Sequence, residues 1–199
     1  MNNYLLINLD YIKDNKDEFI KNANLAHERF VFNYGKTFNE MSSTWFYRYY
    51  NLSTLTVGCP LYYKLFIDLQ KIIRKKANHD NPLWFQCWLN FHNEDEVLKL
   101  HNHPHCLFHG YISIDPQHTE TEFEDYKITN EIGNVYIGDA GLMHKINVLS
   151  PFKNKRITIG FDVVDEECFK KRITNNVDVN TGFIPVPNSS FDKKEITNA

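Results

Sequence analysis

The sequence lacks long apolar runs, and this excludes a membrane-spanning helix. Apolar stretches such as Tyr4–Leu9 and Leu65–Ile67 are much shorter than the roughly 20 apolar residues that a bilayer span needs. Residues 1–10 also lack the basic start of a secretory signal peptide, and Asp10 interrupts the apolar stretch that would have to follow. We therefore expect a cytoplasmic protein that has no contact with a membrane.

The sequence also lacks paired cysteines and an excess of basic charge. The four cysteines, Cys59, Cys87, Cys106 and Cys168, form no C-x-x-C motif, which is typical of reduced thiols rather than of a disulfide framework. With 22 basic and 25 acidic residues the formal net charge is −3, so no cationic surplus is present for general nucleic-acid binding. The 199 residues, 42% hydrophobic and 24% charged, are typical of one globular domain.

Residues 1–82 are predicted to form an N-terminal support region of helical and mixed character. The composition is compatible with a helix over Asp14–Arg29, and the aromatic segment Thr44–Tyr50 fits a strand or a packed helix face. The clearest helix begins at Pro60, carries one apolar stripe and ends near Asn78. Because that stripe needs an apolar surface, we expect this helix to pack on the outer face of a sheet.

Residues 83–165 are predicted to form the β core of the protein. Short β-branched or aromatic runs alternate with turn residues, and no helical crossover lies between them, which favours an antiparallel sandwich or barrel with the Pro60 helix covering one sheet. Residues 166–199 are predicted to be a C-terminal extended arm in which only Gly182–Val186 could add a strand. The predicted core strands are Trp84–Phe91, Val97–His101, Phe108–Ile114, Glu122–Tyr126, Asn134–Ile137, His144–Leu149 and Arg156–Val164.

Histidine is concentrated in the segment H-N-H-P-H-C-L-F-H. If its first residues are extended, His101 and His103 point to the same face, because side chains alternate along a strand. Two converging imidazoles supply two ligands of a metal site that keeps an open position, and His144, which opens a later predicted strand, is the candidate for the third. His105 and His109 are not expected to take part.

Arg156 and Thr158 share one face of the last predicted strand, and the apolar residues between and after them share the other face. An arginine on the inner face of a barrel is costly unless an anion pairs with it. A carboxylate ligand held by two parallel hydrogen bonds would satisfy the guanidinium group. The alternative is a position at the rim, where Arg156 forms a surface ion pair with Asp162 or Glu124.

Spaced motifs between Trp84 and Val164 together resemble a known family of enzymes. They are W-x-N at 88–90, H-x-H-P at 101–104, Gly-Tyr at 110–111, Pro116, Gly133, His144, and R-x-T at 156–158 followed by Phe161. The series is similar to the small family of 2-oxoglutarate and iron(II)-dependent oxygenases that is common in phages and marine bacteria. The resemblance implies a mainly β fold with flanking helices, in which residues 83–165 form a catalytic core of the double-stranded β-helix (jelly-roll or cupin-like) type with iron at one mouth.

The same resemblance implies specific roles for individual residues. Fe(II) would be bound by His101, His103 and His144, and the cosubstrate 2-oxoglutarate would be held through its 5-carboxylate by Arg156 and Thr158. Arg156 lies 12 residues after His144, a spacing typical of such enzymes. The matching motifs also contain two further candidates for binding the cosubstrate, Asn90 and Tyr111.

The sequence departs from this family at the metal site. Where the superfamily has H-x-D, residues 101–103 are H-N-H, so the usual carboxylate ligand is missing from its expected position. Either His103 completes a three-His site, or a carboxylate reaches the metal from elsewhere. The candidates for such a carboxylate are Asp139, Asp115 and Glu122.

Three functional classes follow from these observations. The first is a 2-oxoglutarate-dependent dioxygenase that hydroxylates an unidentified substrate, such as a protein side chain, a nucleobase or a small metabolite. The second is a cupin-type metal enzyme, a three-His dioxygenase or isomerase that does not use 2-oxoglutarate, because the segment from Gly133 to His144 also approximates a cupin motif. The third is a non-enzymatic jelly-roll phage or interaction protein. A phage-encoded protein would occupy the host cytoplasm, and a homodimer is compatible with all three.

Overall fold

A computed structural model of the chain describes residues 4–34, 58–96, 99–174 and 182–188. The aromatic segment Thr44–Tyr50 lies outside the described residues. The helices and strands, in chain order, are β1 (Tyr4–Asn8), α1 (Asp10–Asp14), α2 (Lys16–Tyr34), α3 (Pro60–Ala77), β2 (Leu83–His92), a short 3-10 helix (Glu94–Glu96), β3 (Phe108–Asp115), β4 (Thr119–Phe123), β5 (Lys127–Thr129), β6 (Asn134–Asp139), β7 (His144–Val148), β8 (Arg156–Asp165), α4 (Glu166–Thr174) and β9 (Ile184–Pro185).

Two antiparallel sheets form the body of the protein. The larger has six strands in the order β1-β6-β3-β8-β2-β9, and the smaller has three in the order β5-β4-β7. All of the pairings between these strands are antiparallel. This confirms the predicted fold class, a mainly β jelly roll with flanking helices. None of the described helices is long and apolar enough to cross a membrane.

The six-stranded sheet has one apolar face and one polar face. On β8 the odd-numbered side chains from Ile157 to Val163 are buried in the main hydrophobic core, whereas Arg156, Thr158 and Asp162 point the opposite way. Strand β2 pairs with β8 so that Asn90 lies directly opposite Thr158. Asn90 therefore points to the same face of the sheet as Thr158. The alternation predicted from the sequence therefore gives the central strands an apolar face and a polar face.

Helices α2 and α3 cover the apolar face. Helix α3 begins with Pro60 in its first turn and ends where Asn78 adopts the left-handed conformation, with φ at 56°. Its buried side chains join the same hydrophobic core as the sheet, and Phe66 lies against Phe85 of β2 with ring centroids 5.0 Å apart. The predicted Pro60–Ala77 helix and its packing against a sheet are confirmed.

The N-terminal region contributes to the sheet as well as to its cover. Strand β1, which was not predicted, pairs with β6 from Tyr4 opposite Gly138 to Asn8 opposite Asn134. The helix-compatible segment Asp14–Arg29 corresponds to the longer α2. Residues 1–82 thus supply an edge strand of the six-stranded sheet in addition to the helices that cover it.

Three local predictions differ from the structure. The predicted strand Glu122–Tyr126 straddles the turn between β4 and β5, because both strands alternate in a similar way and the turn contains no glycine. Residues 97 and 98 of the predicted strand Val97–His101 lie outside the described residues, and His101 forms only an isolated bridge to His144. The predicted extended arm begins with helix α4, although β9 does fall within Gly182–Val186.

Candidate metal and anion site

Backbone pairing brings His144 together with the H-N-H segment at 101–103. His101 and His144 exchange backbone hydrogen bonds of 3.0 and 2.9 Å, and the backbone N–H of His103 donates to the carbonyl of Ala140 at 2.8 Å. The segment around residue 101 is thereby held against the start of β7. One ring nitrogen from each of the three imidazoles lies within 4.8 Å of those of the other two. The structure therefore brings together the three residues that the sequence selected as metal ligands.

Each of the three imidazoles has a hydrogen-bond acceptor behind its Nδ1 atom. Nδ1 of His101 lies 2.7 Å from the carbonyl of Lys99, and Nδ1 of His144 lies 3.1 Å from the carbonyl of Leu142. Nδ1 of His103 lies 2.9 Å from the Oδ1 atom of Asp162. Since an acceptor must face an N–H, we assign the proton to Nδ1 in all three rings. This leaves three Nε2 lone pairs for a metal, and the Nε2 atom of His103 is buried without a hydrogen-bond partner.

Burial favours the neutral, metal-binding form of the His101 and His144 rings. It lowers the pKa of His144 to about 2, with a further contribution from the neighbouring His109 and His101. Burial likewise lowers the pKa of His101. Neutral imidazoles do not have to release a proton before they bind a metal ion, so metal binding here would compete little with protons at neutral pH.

Two residues beside the cluster were missed as functional candidates. The Oδ1 atom of Asp162 lies 2.9 Å from Nδ1 of His103 and 3.4 Å from Nδ1 of His109, and the two imidazoles stack with ring centroids 3.7 Å apart. Burial lowers the pKa of His109 to about 4. Burial alone would raise the pKa of Asp162, but its electrostatic interaction with His103 and the N–H donors of both imidazoles hold it well below its usual range.

His109 therefore does not stand apart from the cluster, and Asp162 does not pair with Arg156. The alternation along β8 places Asp162 on the same face as Arg156, but six residues further along the strand. The register between β3 and β8 sets His109 directly opposite Asp162. A correct strand register was thus the signal needed to recognise this pair, and a single sequence does not supply it.

The carboxylates considered as alternative ligands are engaged elsewhere. Asp139 lies 3.6 Å from the ammonium group of Lys76, and its side chain is 49% exposed. Asp115 pairs with Lys16 on the far side of β3 at 3.0 Å. Glu122 forms its ion pairs and hydrogen bonds on the outside of the small sheet. None of the three belongs to a potential metal-binding group among the described residues.

Arg156 is a buried cation whose counter-ion is missing from the described part of the chain. Its side chain is 2% exposed, and no carboxylate of the described residues pairs with it. Its Nη1 group donates to Nδ1 of His92 at 3.4 Å and to Oγ1 of Thr158 at 3.5 Å, while its Nε–H has no partner. Burial lowers the pKa of Arg156 only to about 10, so the group remains cationic at neutral pH. Glu124, the other suggested partner, is exposed in the turn after β4.

Further polar groups line the surface around this cation. The Oγ atom of Ser113 is buried and has no hydrogen-bond partner, and Ser113 is opposite Thr158 in the sheet register. Asn90 donates from Nδ2 to Oγ1 of Thr158 at 3.3 Å. A buried guanidinium N–H and a buried hydroxyl that lack partners cost free energy unless a ligand satisfies them. This chemistry fits a carboxylate that reaches the polar face of the sheet.

Aromatic side chains lie between the cationic and imidazole ends of this face. Tyr111 is paired across the sheet with Gly160 and stacks on Tyr136 with ring centroids 5.2 Å apart. Gly160 has a steric role, because a Cβ atom there would lie 2.6 Å from the indole of Trp88. Trp88 in turn stacks on His103 at 6.1 Å. The polar groups are thus separated by two buried aromatic rings.

Comparison with known proteins identifies the fold. No family model matches the sequence, and no curated protein does. The crystal structure of the non-heme alpha ketoglutarate dependent epimerase SnoN from nogalamycin biosynthesis is similar, with a TM-score of 0.52 and 10% identity over 82% of this chain and 76% of SnoN. The structure of SnoN in complex with Fe3+, alpha ketoglutarate and nogalamycin RO gives a TM-score of 0.50 at 10% identity, over 82% of this chain and 79% of that chain.

A 2OG-Fe(II) oxygenase family oxidoreductase from Burkholderia pseudomallei matches over a smaller region, with a TM-score of 0.40 and 12% identity over 48% of this chain. The chain spans about half of that protein, 51% of its length. At the low identity to SnoN, the likeness concerns the backbone and not the identity of the side chains. The chain described here therefore has the double-stranded β-helix fold that it shares with SnoN.

Proposed function

We propose that the protein is a non-haem Fe(II) and 2-oxoglutarate-dependent oxygenase that hydroxylates a substrate still to be identified. The observation that carries the proposal is Arg156, a buried cation without a carboxylate partner among the described residues, on the same sheet face as a cluster of imidazoles. A metal-binding cupin needs the imidazoles but has no need for the buried arginine. A cosubstrate with two carboxylates explains both features.

In this proposal the polar face is divided between two ligands. His101, His103 and His144 hold the metal through their Nε2 atoms, because their Nδ1 atoms are already engaged with oxygen acceptors. Arg156 and Thr158 hold the distal carboxylate of 2-oxoglutarate, as a guanidinium group can donate two parallel hydrogen bonds to a carboxylate. Asn90 positions the Thr158 hydroxyl, and Tyr111 forms the wall between the two ends.

The bound metal and cosubstrate supply the oxidative chemistry, in which O₂, 2-oxoglutarate and a substrate C–H bond yield CO₂, succinate and a hydroxylated substrate. The protein contributes orientation and a dry surface. Its neutral imidazoles bind the metal without proton release, and its buried guanidinium selects a dianionic cosubstrate. Trp88 and Tyr111 keep water from the space between them, which strengthens each charged interaction there.

The test is formation of succinate by the purified protein. We expect succinate from 2-oxoglutarate when Fe(II) and O₂ are both present, at a slow rate without the primary substrate and faster when a correct protein, nucleobase or metabolite substrate is added. Omission of Fe(II) or O₂ should abolish the reaction. Arg156→Ala, at equal metal loading, is the matched variant that should lose it.

Two results would overturn the proposal, and they indicate different alternatives. A protein that binds Fe(II) but forms no succinate with any of these substrate classes would be a cupin-type enzyme without 2-oxoglutarate. A protein that binds neither Fe(II) nor 2-oxoglutarate would be a non-enzymatic jelly roll. Both measurements use the full chain.

A further inference from the structure

A buried carboxylate lies directly behind one of the proposed metal ligands. Asp162 is 3% exposed, and its Oδ1 atom lies 2.9 Å from Nδ1 of His103 and 3.4 Å from Nδ1 of His109. Within the described part of the chain its ion-pair contacts are made with these two imidazoles alone. A buried carboxylate is costly unless hydrogen-bond donors, cations or a metal centre compensate its charge.

The hydrogen bond fixes the state of the ring that it contacts. Because the carboxylate accepts from Nδ1 of His103, the lone pair of this ring is at Nε2, the buried atom that has no partner in the protein. The ring centroid of His103 lies 5.3 Å from that of His101 and 5.6 Å from that of His144. The unpartnered nitrogen therefore belongs to the group of three imidazoles.

Two aromatic neighbours hold the same ring from its faces. His109 stacks on His103 with an interplanar angle of 14°, and Trp88 stacks on it with an angle of 20°. The stacking fixes the plane of the ring, whereas the carboxylate fixes its rotation within that plane and its tautomer. The His103 ring is therefore held by stacking and by a hydrogen bond, neither of which involves a metal.

We propose that Asp162 is a positioning residue that makes His103 a substitute for the missing carboxylate ligand. Through its hydrogen bond to the His103 ring, it supplies the negative charge that the H-N-H segment lacks. The inference rests on the proposed metal site and adds to it a residue outside the ligand set. A ligating histidine that donates to a carboxylate is a stronger base, and loss of such a partner typically lowers metal affinity about 10–100-fold.

The test is a titration of Co(II), whose visible spectrum reports its coordination, into the metal-free full-length protein. Asp162→Asn should weaken Co(II) binding about 10–100-fold and alter the spectrum of the bound ion. Asp165→Asn, a change of the same type on the same strand, should leave both unchanged. The unfolding midpoint of each metal-free variant separates loss of fold from loss of affinity.

The decisive comparison repeats the substitution in a His103→Asp background. There the ligand position itself carries the negative charge, so Asp162→Asn should lower affinity less than about threefold or should raise it. An equal loss in both backgrounds would show that Asp162 acts on the fold in general and would overturn the proposal. Unchanged affinity of Asp162→Asn in the native background would overturn it as well, while leaving the metal site intact.

A readout that needs no metal covers the case in which the double variant does not fold. The ¹⁵N chemical shifts of the His103 ring should indicate a proton on Nδ1 in the native protein and a shifted tautomer population in Asp162→Ala. An unchanged tautomer would contradict the proposed role. Absence of Co(II) binding by the native protein would instead overturn the metal site itself, and with it the proposed function.

Discussion

The two faces of the six-stranded sheet are buried to a similar degree, yet they differ in chemistry. On the helix-covered face Ile159 and Phe161 are completely buried among apolar side chains. On the opposite face Arg156 and Asp162 are almost as deeply buried. The Nε–H of Arg156 and the hydroxyl of Ser113 on that face have no hydrogen-bond partner. Burial of apolar area stabilises a fold, whereas burial of charge generally does not. The comparison separates the surface that supports the fold from the surface available for chemistry.

The largest effect on stability is expected from a substitution on the apolar face. Phe161→Ala removes a buried ring from the main core. We expect a loss of about 3–5 kcal/mol in the free energy of unfolding, because the substitution removes a fully buried ring and leaves a cavity in the main core. Ser113→Ala, on the polar face, removes a buried hydroxyl without a partner and should change stability by less than about 1 kcal/mol. Denaturant unfolding of the metal-free proteins measures both, and equal losses would contradict the distinction between the faces.

The next largest effect is expected for Arg156→Ala. Loss of one partner of a buried, hydrogen-bonded charge pair costs about 2–5 kcal/mol, so the Kd for 2-oxoglutarate should rise by at least about 30-fold. Metal affinity should hardly change, and Arg156→Lys should restore only part of the binding. The control is Arg172→Ala, which removes another buried guanidinium that donates to the carbonyl of His105. Calorimetry gives the affinities, and a similar loss in the control would refute the specific role of Arg156.

His144→Ala should abolish metal retention, with a loss of affinity above about 100-fold, since even the hydrogen-bond partners of ligands contribute about 10–100-fold. His105→Ala is the matched control from the same histidine-rich segment, and we expect it to retain the metal. Equilibrium dialysis against Fe(II) under anaerobic conditions measures both. Retention of metal by His144→Ala, with the fold intact, would remove this residue from the ligand set.

The smallest effect concerns the pH dependence of stability, for which His92 is informative. Burial, together with the charge of Arg156, lowers the pKa of His92 to about 4 in the folded protein. The unfolded chain, with a pKa near 6.5, then binds more protons between about pH 4 and 6.5, so stability falls as the pH decreases through this range. The contribution is at most about 1.4 kcal/mol per pH unit.

Replacement of His92 by glutamine keeps a hydrogen-bond acceptor beside Arg156 and removes the titrating group. The slope of unfolding free energy against pH should become less steep between about pH 4 and 6.5. An identical slope in His92→Gln would mean that His92 titrates in the same way in the folded and unfolded states.

Alternation and motif spacing were sufficient to predict the jelly roll and the three clustered histidines. The polar residues at 156 and 158 share a face for a local reason, because side chains alternate along any strand. His101 and His103 could be selected because H-x-H before a strand is a recognisable pattern, and His144 because it opens a later predicted strand, 12 residues before Arg156. These predictions use local sequence patterns and do not require knowledge of which strands pair.

The rest of the site depends on pairing between distant segments. His109 meets Asp162 only because β3 and β8 are aligned in one particular register, and β1 pairs with β6 across more than half of the chain. A shift of one residue in that register would turn each of these side chains to the other face. For the same reason His109 was predicted to stand outside the site, and Asp162 was considered only as a surface partner of Arg156.

The central claim is that the polar face forms one site for a metal and a dicarboxylate. The most direct measurement is an anaerobic calorimetric titration of 2-oxoglutarate into the protein with and without Fe(II). We predict binding of one cosubstrate per chain that is much tighter with the metal present, and, by linkage, Fe(II) binding that is tightened by the same factor when 2-oxoglutarate is present. Equal 2-oxoglutarate affinity with and without bound Fe(II), or no binding by the iron-loaded protein, would contradict the claim.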